Sequence, residues 1–287
     1  MVLLAQTSDG IARVLPGTLQ LLDHPGRLEG LIREGRLSEL EGARSVKEIA
    51  WRQAVIEPPV RRPAKIIVIG LNYRDHAAET GSPLPDLPRF HLIPGSAVTA
   101  PGARVHLPGA APSRVDYEGE LAVVIGRTGR EIPEESAWDF VAGATVANDY
   151  SARDVQAGEN PSVAMPSPAL AKGFDGFKPL GPALLSAGEL RRHPALTITT
   201  EVNGVIRQRS STAELIFTIP RLISYLSSLL TLESGDVILT GTPGGTGVAD
   251  GRFLAPGDEV AVAIENIGTL TTTIAAPLSS APVSQPP

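Results

Sequence analysis

The sequence predicts a β-rich α+β fold, a mixed β-sandwich or roll with a small N-terminal domain. From Lys65 onwards, short apolar runs typical of strands alternate with turn signals, and only two stretches read as helices. The strands and helices do not alternate regularly, which argues against a doubly wound sheet. Before that point, leucines at helix-like spacings precede the proline-rich stretch VIEPPVRRPAK. We therefore predict a small domain over 1–60, the main domain over 61–277 and a disordered tail over 278–287.

The elements of the main domain follow from local patterns. Thr218 can cap the helix PRLISYLSSLLTL, with Pro220 in its first turn, and a second helix is predicted in ESAWDFVAGA near 135–144. Asn203-Gly204 marks a two-residue hairpin. The predicted strands are IIVIG (66–70), LAVVIG (121–126), TVAND (145–149), TITTEVNG (197–204), DVILTG (236–241) and EVAVAIENIGTLTTTI (259–274).

Composition excludes several classes of function. The 287 residues carry 25 Lys and Arg against 31 Asp and Glu, a formal charge of −6, and no basic cluster suggests nucleic acid or an anionic membrane as a partner. The chain has no cysteine, which excludes disulfides and thiolate chemistry. No stretch approaches the roughly 20 apolar residues of a spanning helix. We therefore expect a cytoplasmic protein with no membrane contact.

Two glutamates, Glu118 and Glu120, lie two residues apart in the run DYEGELAVVIG. In a strand they share a face with Ala122 and Val124. At a separation of about 7 Å, their repulsion is about 0.6 kcal/mol in water and about 2.4 kcal/mol at an effective dielectric of about 20. A buried pair would therefore need a proton or a cation, whereas a solvated strand end would need neither. The pattern alone leaves both interpretations open.

A third carboxylate, Asp149, closes the apolar run ATVAND. Three oxygen ligands without a nearby His or Cys suit a hard divalent ion, Mg²⁺ or Mn²⁺ more than Zn²⁺, with Ca²⁺ as a further candidate. An aspartate at the end of a strand is also common in turns. The spacing by itself does not choose between these alternatives.

Six stretches, taken in order, resemble the fumarylacetoacetate hydrolase superfamily over about Lys65 to Ile274. The resemblance implies that Glu118, Glu120 and Asp149 are metal ligands, that the β-rich fold is the one peculiar to this superfamily, and that the chain forms a homodimer. The stretches are GLNYRDHAAETG (70–81), DYEGELAVVIG (116–126), ANDYSARDVQ (147–156), LAKGFDGFKPLGP (170–182), VNGVIRQ (202–208) and GDVILTGTPGGTG (235–247).

The same resemblance implies three catalytic residues. His76 and Glu79 are three apart in a helix-compatible stretch, so they can hydrogen-bond, and a carboxylate that orients a histidine makes it a better base for water. The resemblance implies that role for the pair, covered by the mobile segment GSPLPDLP. Without the resemblance, a surface helix with one solvated histidine is the more common interpretation of this stretch. Lys172 is implied to stabilise enolate charge, although a lysine at such a place usually snorkels to the surface.

Substrate contacts are implied for Gln156 and Thr242. Thr242 lies in TGTPGGTG, whose glycines invite comparison with a phosphate loop, but no Gly-Lys-Ser/Thr follows, so a nucleotide site is rejected. One position departs from the family pattern: many relatives carry a lysine in a Phe-x-x-Lys-Pro-like stretch, and Ile93 stands there in this chain. That departure puts the identity of the substrate in doubt and leaves the metal site plausible.

The resemblance implies hydrolysis of a C–C bond in a β-diketo acid such as an acylpyruvate or fumarylpyruvate, with release of pyruvate or a related keto acid. Isomerisation of a 5-carboxymethyl-2-hydroxymuconate or 2-hydroxyhepta-2,4-diene-1,7-dioate type of diacid is the nearest alternative. Decarboxylation and hydration are more distant. A metal-binding homologue without catalysis is a further hypothesis, and it would be expected to lack His76, Glu79 or Lys172, all of which are present.

Overall fold

A computed structural model of the protein describes residues 3–163 and 165–278. Strands are the main regular elements among these residues and are joined by short helices. The strands are β1 Leu3–Thr7, β2 Gly10–Leu15, β3 Thr18–Leu22, β4 Ser45–Ala50, β5 Ile56–Glu57, β6 Ile66–Gly70, β7 Arg89–Ile93, β8 Val98–Thr99, β9 Arg104–His106, β10 Val115–Asp116, β11 Gly119–Ile125, β12 Val141–Asn148, β13 Ser151–Ala152, β14 Lys178–Ser186, β15 Thr197–Val202, β16 Val205–Ser211, β17 Val237–Leu239, β18 Glu259–Ile264 and β19 Gly268–Ala275.

The α-helices are short, and α6 is the longest in the described part of the chain. They are α1 Leu28–Glu34, α2 Arg74–Glu79, α3 Arg153–Ala157, α4 Pro168–Lys172, α5 Ala187–Arg192, α6 Ile219–Leu229 and α7 Gly247–Asp250. Single turns of 3₁₀-helix occur at Leu37–Leu40, Trp51–Gln53, Gly95–Ala97 and Thr212–Glu214, and a longer one at Glu134–Phe140. None of the helices in 3–163 and 165–278 is long and apolar enough to cross a membrane.

The strands form a large mixed sheet and a smaller second sheet. The main path of the large sheet runs β4-β3-β2-β1-β14-β12-β11-β17-β6-β7, with β17 and β6 parallel, and the second sheet runs β16-β15-β18-β19-β9. Leu121 and Val123 of β11 share one hydrophobic core with Ile198 and Val262 of the second sheet. This architecture confirms the predicted β-rich α+β fold.

The opposite face of the large sheet carries a second core. Ala122 and Val124 of β11 lie there with Leu180 of β14, and helix α1 covers them through residues such as Leu31. Both faces of β11 are therefore buried, as the apolar run on each side of this strand predicts. At the start of β11, next to Ala122, this face carries the polar residue Glu120.

Most predicted elements of the main domain are present. Thr218 caps α6, its hydroxyl accepting the backbone N–H of Arg221 at 3.3 Å. Asn203 and Gly204 both adopt positive φ, 52° and 73°, as the tight turn between β15 and β16 requires. The helix predicted near 135–144 is wrong in its second half, because a 3₁₀-helix ends at Phe140 and VAGA begins β12. Pairing with β11 and β14 on both sides overrides the local preference of these small residues.

The first 60 residues are mainly strands, with helix α1 in the leucine-rich stretch. Leu3 and Leu4 of β1 pair with Leu185 and Leu184 of β14, so this segment continues the large sheet. The division near residue 60 stays a prediction. Of the tail predicted over 278–287, residues from 279 onwards lie outside the described part of the chain.

Candidate metal centre and active site

Three buried carboxylates converge where β11 begins and β12 ends. The two strands are antiparallel neighbours, and the backbone N–H of Asp149 donates to the carbonyl of Glu118 at 2.8 Å. One carboxylate oxygen each from Glu118, Glu120 and Asp149 lies within 4.8 Å of the others. The three residues are 6%, 1% and 0% exposed. The solvated strand end considered above is therefore wrong for these glutamates.

Glu118 is held as an anion by two cations. Nη2 of Arg153 lies 2.5 Å from Oε1, and Nζ of Lys172 donates to Oε2 at 2.7 Å. Burial opposes ionisation, but these two charges, with a smaller effect from His76, hold the pKa of Glu118 well below its usual range. Arg153 also donates to Oδ2 of Asp116 at 2.9 Å, which ties two buried acids to one guanidinium.

Glu120 is in the opposite situation. Its Oε2 accepts the backbone N–H of Gly241 at 2.6 Å, and no lysine or arginine of the described residues forms an ion pair with it. Burial, then the charges of Asp149 and Glu118, raise the pKa of Glu120 well above its usual value, and the more distant Lys172 only partly offsets this. Glu120 is therefore the carboxylate of the cluster that is short of positive charge.

Asp149 contacts two ammonium groups. Oδ2 accepts from Lys172 at 2.5 Å, and Oδ1 lies 2.6 Å from Nζ of Lys178, a lysine with no exposed surface. The Lys178 contact is an ion pair, and Oδ1 of Asp149 accepts no regular hydrogen bond. Burial lowers the pKa of Lys178, and the carboxylate of Asp149 opposes this. Burial also lowers the pKa of Lys172, but Asp149 and Glu118 together raise it above its usual value.

The donor set of this cluster fits a hard divalent ion. Its three ligands are carboxylates, with neither cysteine nor histidine among them, and Mg²⁺, Mn²⁺ and Ca²⁺ prefer such oxygen ligands. Glu120 has no cation beside it among the described residues, and the three acids repel one another, so a positive charge within the cluster would stabilise their ionised forms. Glu118, Glu120 and Asp149 are the residues that could hold the ion.

The predicted dyad lies on α2. Nδ1 of His76 lies 3.2 Å from Oε2 of Glu79, and the His76 side chain is 13% exposed. Oε1 of Glu79 accepts the backbone N–H of Gly245 at 2.8 Å, so this carboxylate fixes the imidazole against the loop after β17. The charge of His76 contributes to lowering the pKa of Glu118, so the dyad lies within electrostatic range of the carboxylate cluster. The arrangement can accept a proton beside a metal ion.

Asp75 attaches the same helix at a second point, which the sequence did not indicate. Its Oδ2 accepts the hydroxyl of Ser210 at 2.5 Å, and its Oδ1 accepts the backbone N–H groups of His76 at 2.7 Å and Gly244 at 3.4 Å. Asp75 and Glu79 thus hold α2 between β16 and the glycine-rich loop.

The two predicted substrate contacts border the cluster without joining it. Oε1 of Gln156 accepts from Arg153 at 2.9 Å, one step removed from Glu118. The hydroxyl of Thr242 donates to the carbonyl of Gly119, between the two glutamates, at 3.0 Å. Gln208, which the sequence did not single out, donates to Thr242 at 2.9 Å and accepts the N–H of Gly119 at 3.0 Å. Gln208 therefore fixes the backbone between the two glutamates.

Comparisons with known proteins identify the family. Residues 65–275 match the family model described as "Fumarylacetoacetate (FAA) hydrolase C-terminal". Oxaloacetate tautomerase YisK of Bacillus subtilis is 41% identical over 224 residues, covering 76% of this chain and 72% of that protein.

Two solved structures from Mycobacterium smegmatis are similar over nearly the whole chain. A putative HpcE protein is 36% identical with a TM-score of 0.83, covering 96% of this chain and 99% of that one. A 5-carboxymethyl-2-hydroxymuconate delta-isomerase is 33% identical with a TM-score of 0.74, covering 97% and 100%. Together with the family match, these similarities show that the chain belongs to the fumarylacetoacetate hydrolase family of enzymes.

Proposed function

We propose that the protein is a divalent-metal-dependent hydrolase that cleaves a C–C bond in a β-diketo acid of the acylpyruvate type. The observation that carries this proposal is the histidine–glutamate dyad beside three buried carboxylates, one of which, Glu120, is short of positive charge. Mg²⁺ or Mn²⁺ is the expected ion. When bound, it would supply Lewis-acid stabilisation of the negative charge that develops on a keto acid.

Side chains of the protein carry out the proton transfer and the stabilisation of charge. His76, oriented by Glu79, accepts a proton from water, and the water oxygen forms a bond to the distal carbonyl carbon of the substrate. The C–C bond on the pyruvate side then breaks and leaves its electron pair as an enolate, which a proton converts to pyruvate. Lys172 places its ammonium within the cluster, in contact with Glu118 and Asp149, where it can stabilise enolate oxygen.

Tautomerisation or isomerisation is the second candidate. It is favoured by the 41% identity to an oxaloacetate tautomerase and by the 33% identity to a muconate-type isomerase. The same dyad would move a proton between carbon and oxygen of an enolised keto acid, with no water added and no carbon bond broken. Both reactions need stabilised enolate charge, so the site residues are shared and the products differ.

One assay separates the two candidates. Purified protein with Mn²⁺ is given a panel of acylpyruvates and freshly dissolved enol oxaloacetate, while enol absorbance and released pyruvate are followed together. Hydrolysis predicts loss of absorbance with an equal amount of pyruvate from an acylpyruvate. Tautomerisation predicts loss of absorbance without pyruvate. If neither signal exceeds that of the His76→Asn variant, catalysis by this dyad is rejected and a binding role replaces it.

A further inference from the structure

Lys178 is a fully buried lysine for which neither the motifs nor the proposed reaction has a use. Its Nζ donates to the backbone carbonyls of Lys172 at 2.5 Å, Phe177 at 3.1 Å and Tyr150 at 3.2 Å, and it lies 2.6 Å from Oδ1 of Asp149. Lysines are almost never fully buried unless they are paired. The pairing with Asp149 permits this burial and joins Lys178 to the carboxylate cluster.

The surroundings of Lys178 suit an ammonium ion. Its Nζ is faced by three carbonyl oxygens and one carboxylate oxygen, all of which are acceptors. The three N–H bonds of an ammonium can serve the three carbonyls and its charge attracts the carboxylate, whereas a neutral amine would turn its lone pair towards an oxygen. The Lys172 carbonyl in this set also links Lys178 to the end of α4, which carries the other ammonium of the site.

The sheet register explains why Lys178 meets Asp149. Ala147 of β12 pairs with Leu180 of the antiparallel strand β14. Two residues further along each strand, in opposite directions, the register leads to Asp149 and Lys178, so they are cross-strand neighbours on the same face. Ile93, which stands where many relatives carry a lysine, belongs to the same buried cluster as Ala147 and Leu180. This face therefore has a lysine on β14 and an apolar residue on β7.

The two oxygens of Asp149 have separate partners. Oδ1 lies against Lys178, while Oδ2 accepts from Lys172, which also contacts Oε2 of Glu118. Oδ2 therefore faces the space shared with the other carboxylates. We propose that Lys178 is a positioning residue of the metal site: it holds Oδ1 of Asp149 so that the carboxylate presents Oδ2 alone to the ion. This inference rests on the proposed function, because it presumes that Asp149 is a ligand.

Positioning predicts a change in metal affinity of a particular sign. If Lys178 acted only through its charge, removing it would strengthen the binding of a divalent cation, because one repulsion would be lost. If it only filled space, removal would destabilise the fold and leave the affinity of the folded protein unchanged. Loss of a partner that orients a ligand typically weakens metal binding by about 10- to 100-fold. Weaker binding is therefore the signature of positioning.

The absence of cysteine from the chain allows a direct test. In the Lys178→Cys variant the single thiol is alkylated in denaturant, either with 2-bromoethylamine, which restores an ammonium of nearly lysine length, or with iodoacetamide, which gives a neutral amide. Both products are refolded, and Mn²⁺ affinity is measured by electron paramagnetic resonance. We expect the amide to bind Mn²⁺ about 10- to 100-fold more weakly than wild type and the aminoethyl product to recover most of that loss.

Two controls accompany this experiment. Wild-type protein taken through the same alkylation and refolding cycle shows what the treatment itself changes. Lys65→Met removes an ion-paired lysine at the other end of the sheet, where Nζ lies 2.6 Å from Oδ2 of Asp236, and should leave Mn²⁺ affinity unaltered. Equal or tighter Mn²⁺ binding by the amide product overturns the inference about Lys178. Absence of Mn²⁺ binding by wild type instead overturns the metal site and with it the proposed function.

A crystal structure of the wild-type protein with Mn²⁺ tests the inference even if neither alkylated product refolds. The expected result is Asp149 bound through Oδ2 alone, with Oδ1 still beside Nζ of Lys178. Bidentate binding by Asp149, or binding through Oδ1, rejects the positioning role.

Discussion

Arg153 places its Nη2 atom 2.5 Å from Oε1 of Glu118, with both side chains almost entirely buried. The same guanidinium pairs with Asp116, which has no exposed surface. Replacing it by methionine would leave two buried acids without their main counter-charge. Breaking a buried pair in this way costs about 3–5 kcal/mol. We expect Arg153→Met to lower the free energy of unfolding by about that amount in urea titrations.

The matched control is Arg252→Met, which removes an exposed arginine paired with Asp250. Exposed ion pairs contribute between about 0 and 1 kcal/mol, so this variant should unfold close to the wild-type urea concentration. Indistinguishable unfolding curves for the Arg153 and Arg252 variants would show that the buried network is not an important source of stability.

Glu120→Gln should stabilise the metal-free protein while abolishing metal binding. The amide oxygen can still accept the N–H of Gly241, but the repulsion from Glu118 and Asp149 disappears. Because the folded-state pKa of Glu120 is raised, its ionised form destabilises the fold above pH 4.5, and the gain should vanish below that pH. The melting temperature at neutral pH in EDTA should rise by about 2–4 °C for each kcal/mol gained. The exposed Glu135→Gln should change neither property, and a lower melting temperature for Glu120→Gln would contradict this electrostatic account.

Metal binding should tighten as pH rises. The raised pKa of Glu120 means that the folded, metal-free protein holds a proton there above the ordinary value of 4.5, and the ion must displace this proton. Glu118, whose pKa is depressed, has no proton to lose in the same range. Titration calorimetry with Mn²⁺ at several pH values from about 5 to 8, in two buffers of different ionisation enthalpy, measures both affinity and proton release. A constant affinity with no proton release would show that Glu120 is already ionised.

Substitutions in the His76–Glu79 dyad should lower turnover without changing the affinity for the metal ion. His76→Asn removes the proposed base and should lower kcat by about 10²- to 10⁴-fold, while Mn²⁺ affinity stays at the wild-type value because His76 is not a ligand. Glu79→Gln should have a smaller effect, since an amide oxygen can still accept the N–H of Gly245. His193→Asn, a change at an exposed histidine, serves as the control. Wild-type turnover by His76→Asn would transfer the role of base to another group.

Asp75→Asn should loosen α2. Its carboxylate accepts from Ser210, His76 and Gly244, so the amide keeps only part of this set. We expect faster hydrogen–deuterium exchange over 74–81 and a fall in kcat of about 10- to 100-fold, with unchanged Mn²⁺ affinity. Ser210→Ala should produce a weaker version of the same effects, and the exposed Asp250→Asn should produce neither. Slow turnover without faster exchange would point to a role for Asp75 in chemistry instead of anchoring.

The predictable parts of the fold rest on local signals. Thr218 with Pro220 predicts the start of α6, and Asn203-Gly204 predicts the turn, because each acts on its own neighbours. The helix predicted near 135–144 extends too far, into VAGA, because these residues form a strand through pairing with both of their neighbours in the sheet. Local preference is a weak guide where pairing on both sides decides.

The site residues also fall into those that the sequence predicts and those that it does not. Glu118 and Glu120 can be identified as candidates because carboxylates are unusual in an apolar strand. The ordered motifs identify His76, Glu79 and Lys172 as further candidates. Their neighbours are different: Lys178 in FKP, or Gln208 at the end of VNGVIRQ, carries no local signal of proximity to the carboxylates. Their positions follow from contacts distant in sequence: Lys178 meets Asp149 through the pairing of β14 with β12, and Gln208 of the second sheet accepts the N–H of Gly119 in the large sheet.

Because β1 pairs with β14, truncating the protein at its N-terminus should affect its aggregation. A fragment restricted to the family match at 65–275 would lose β1, and the backbone of Leu184 and Leu185 would then lie at a bare sheet margin. Unpaired margins recruit other chains and promote aggregation. Such a fragment should precipitate or form soluble clusters during purification, so a shortened protein has to keep the first strands even though no proposed site residue belongs to them.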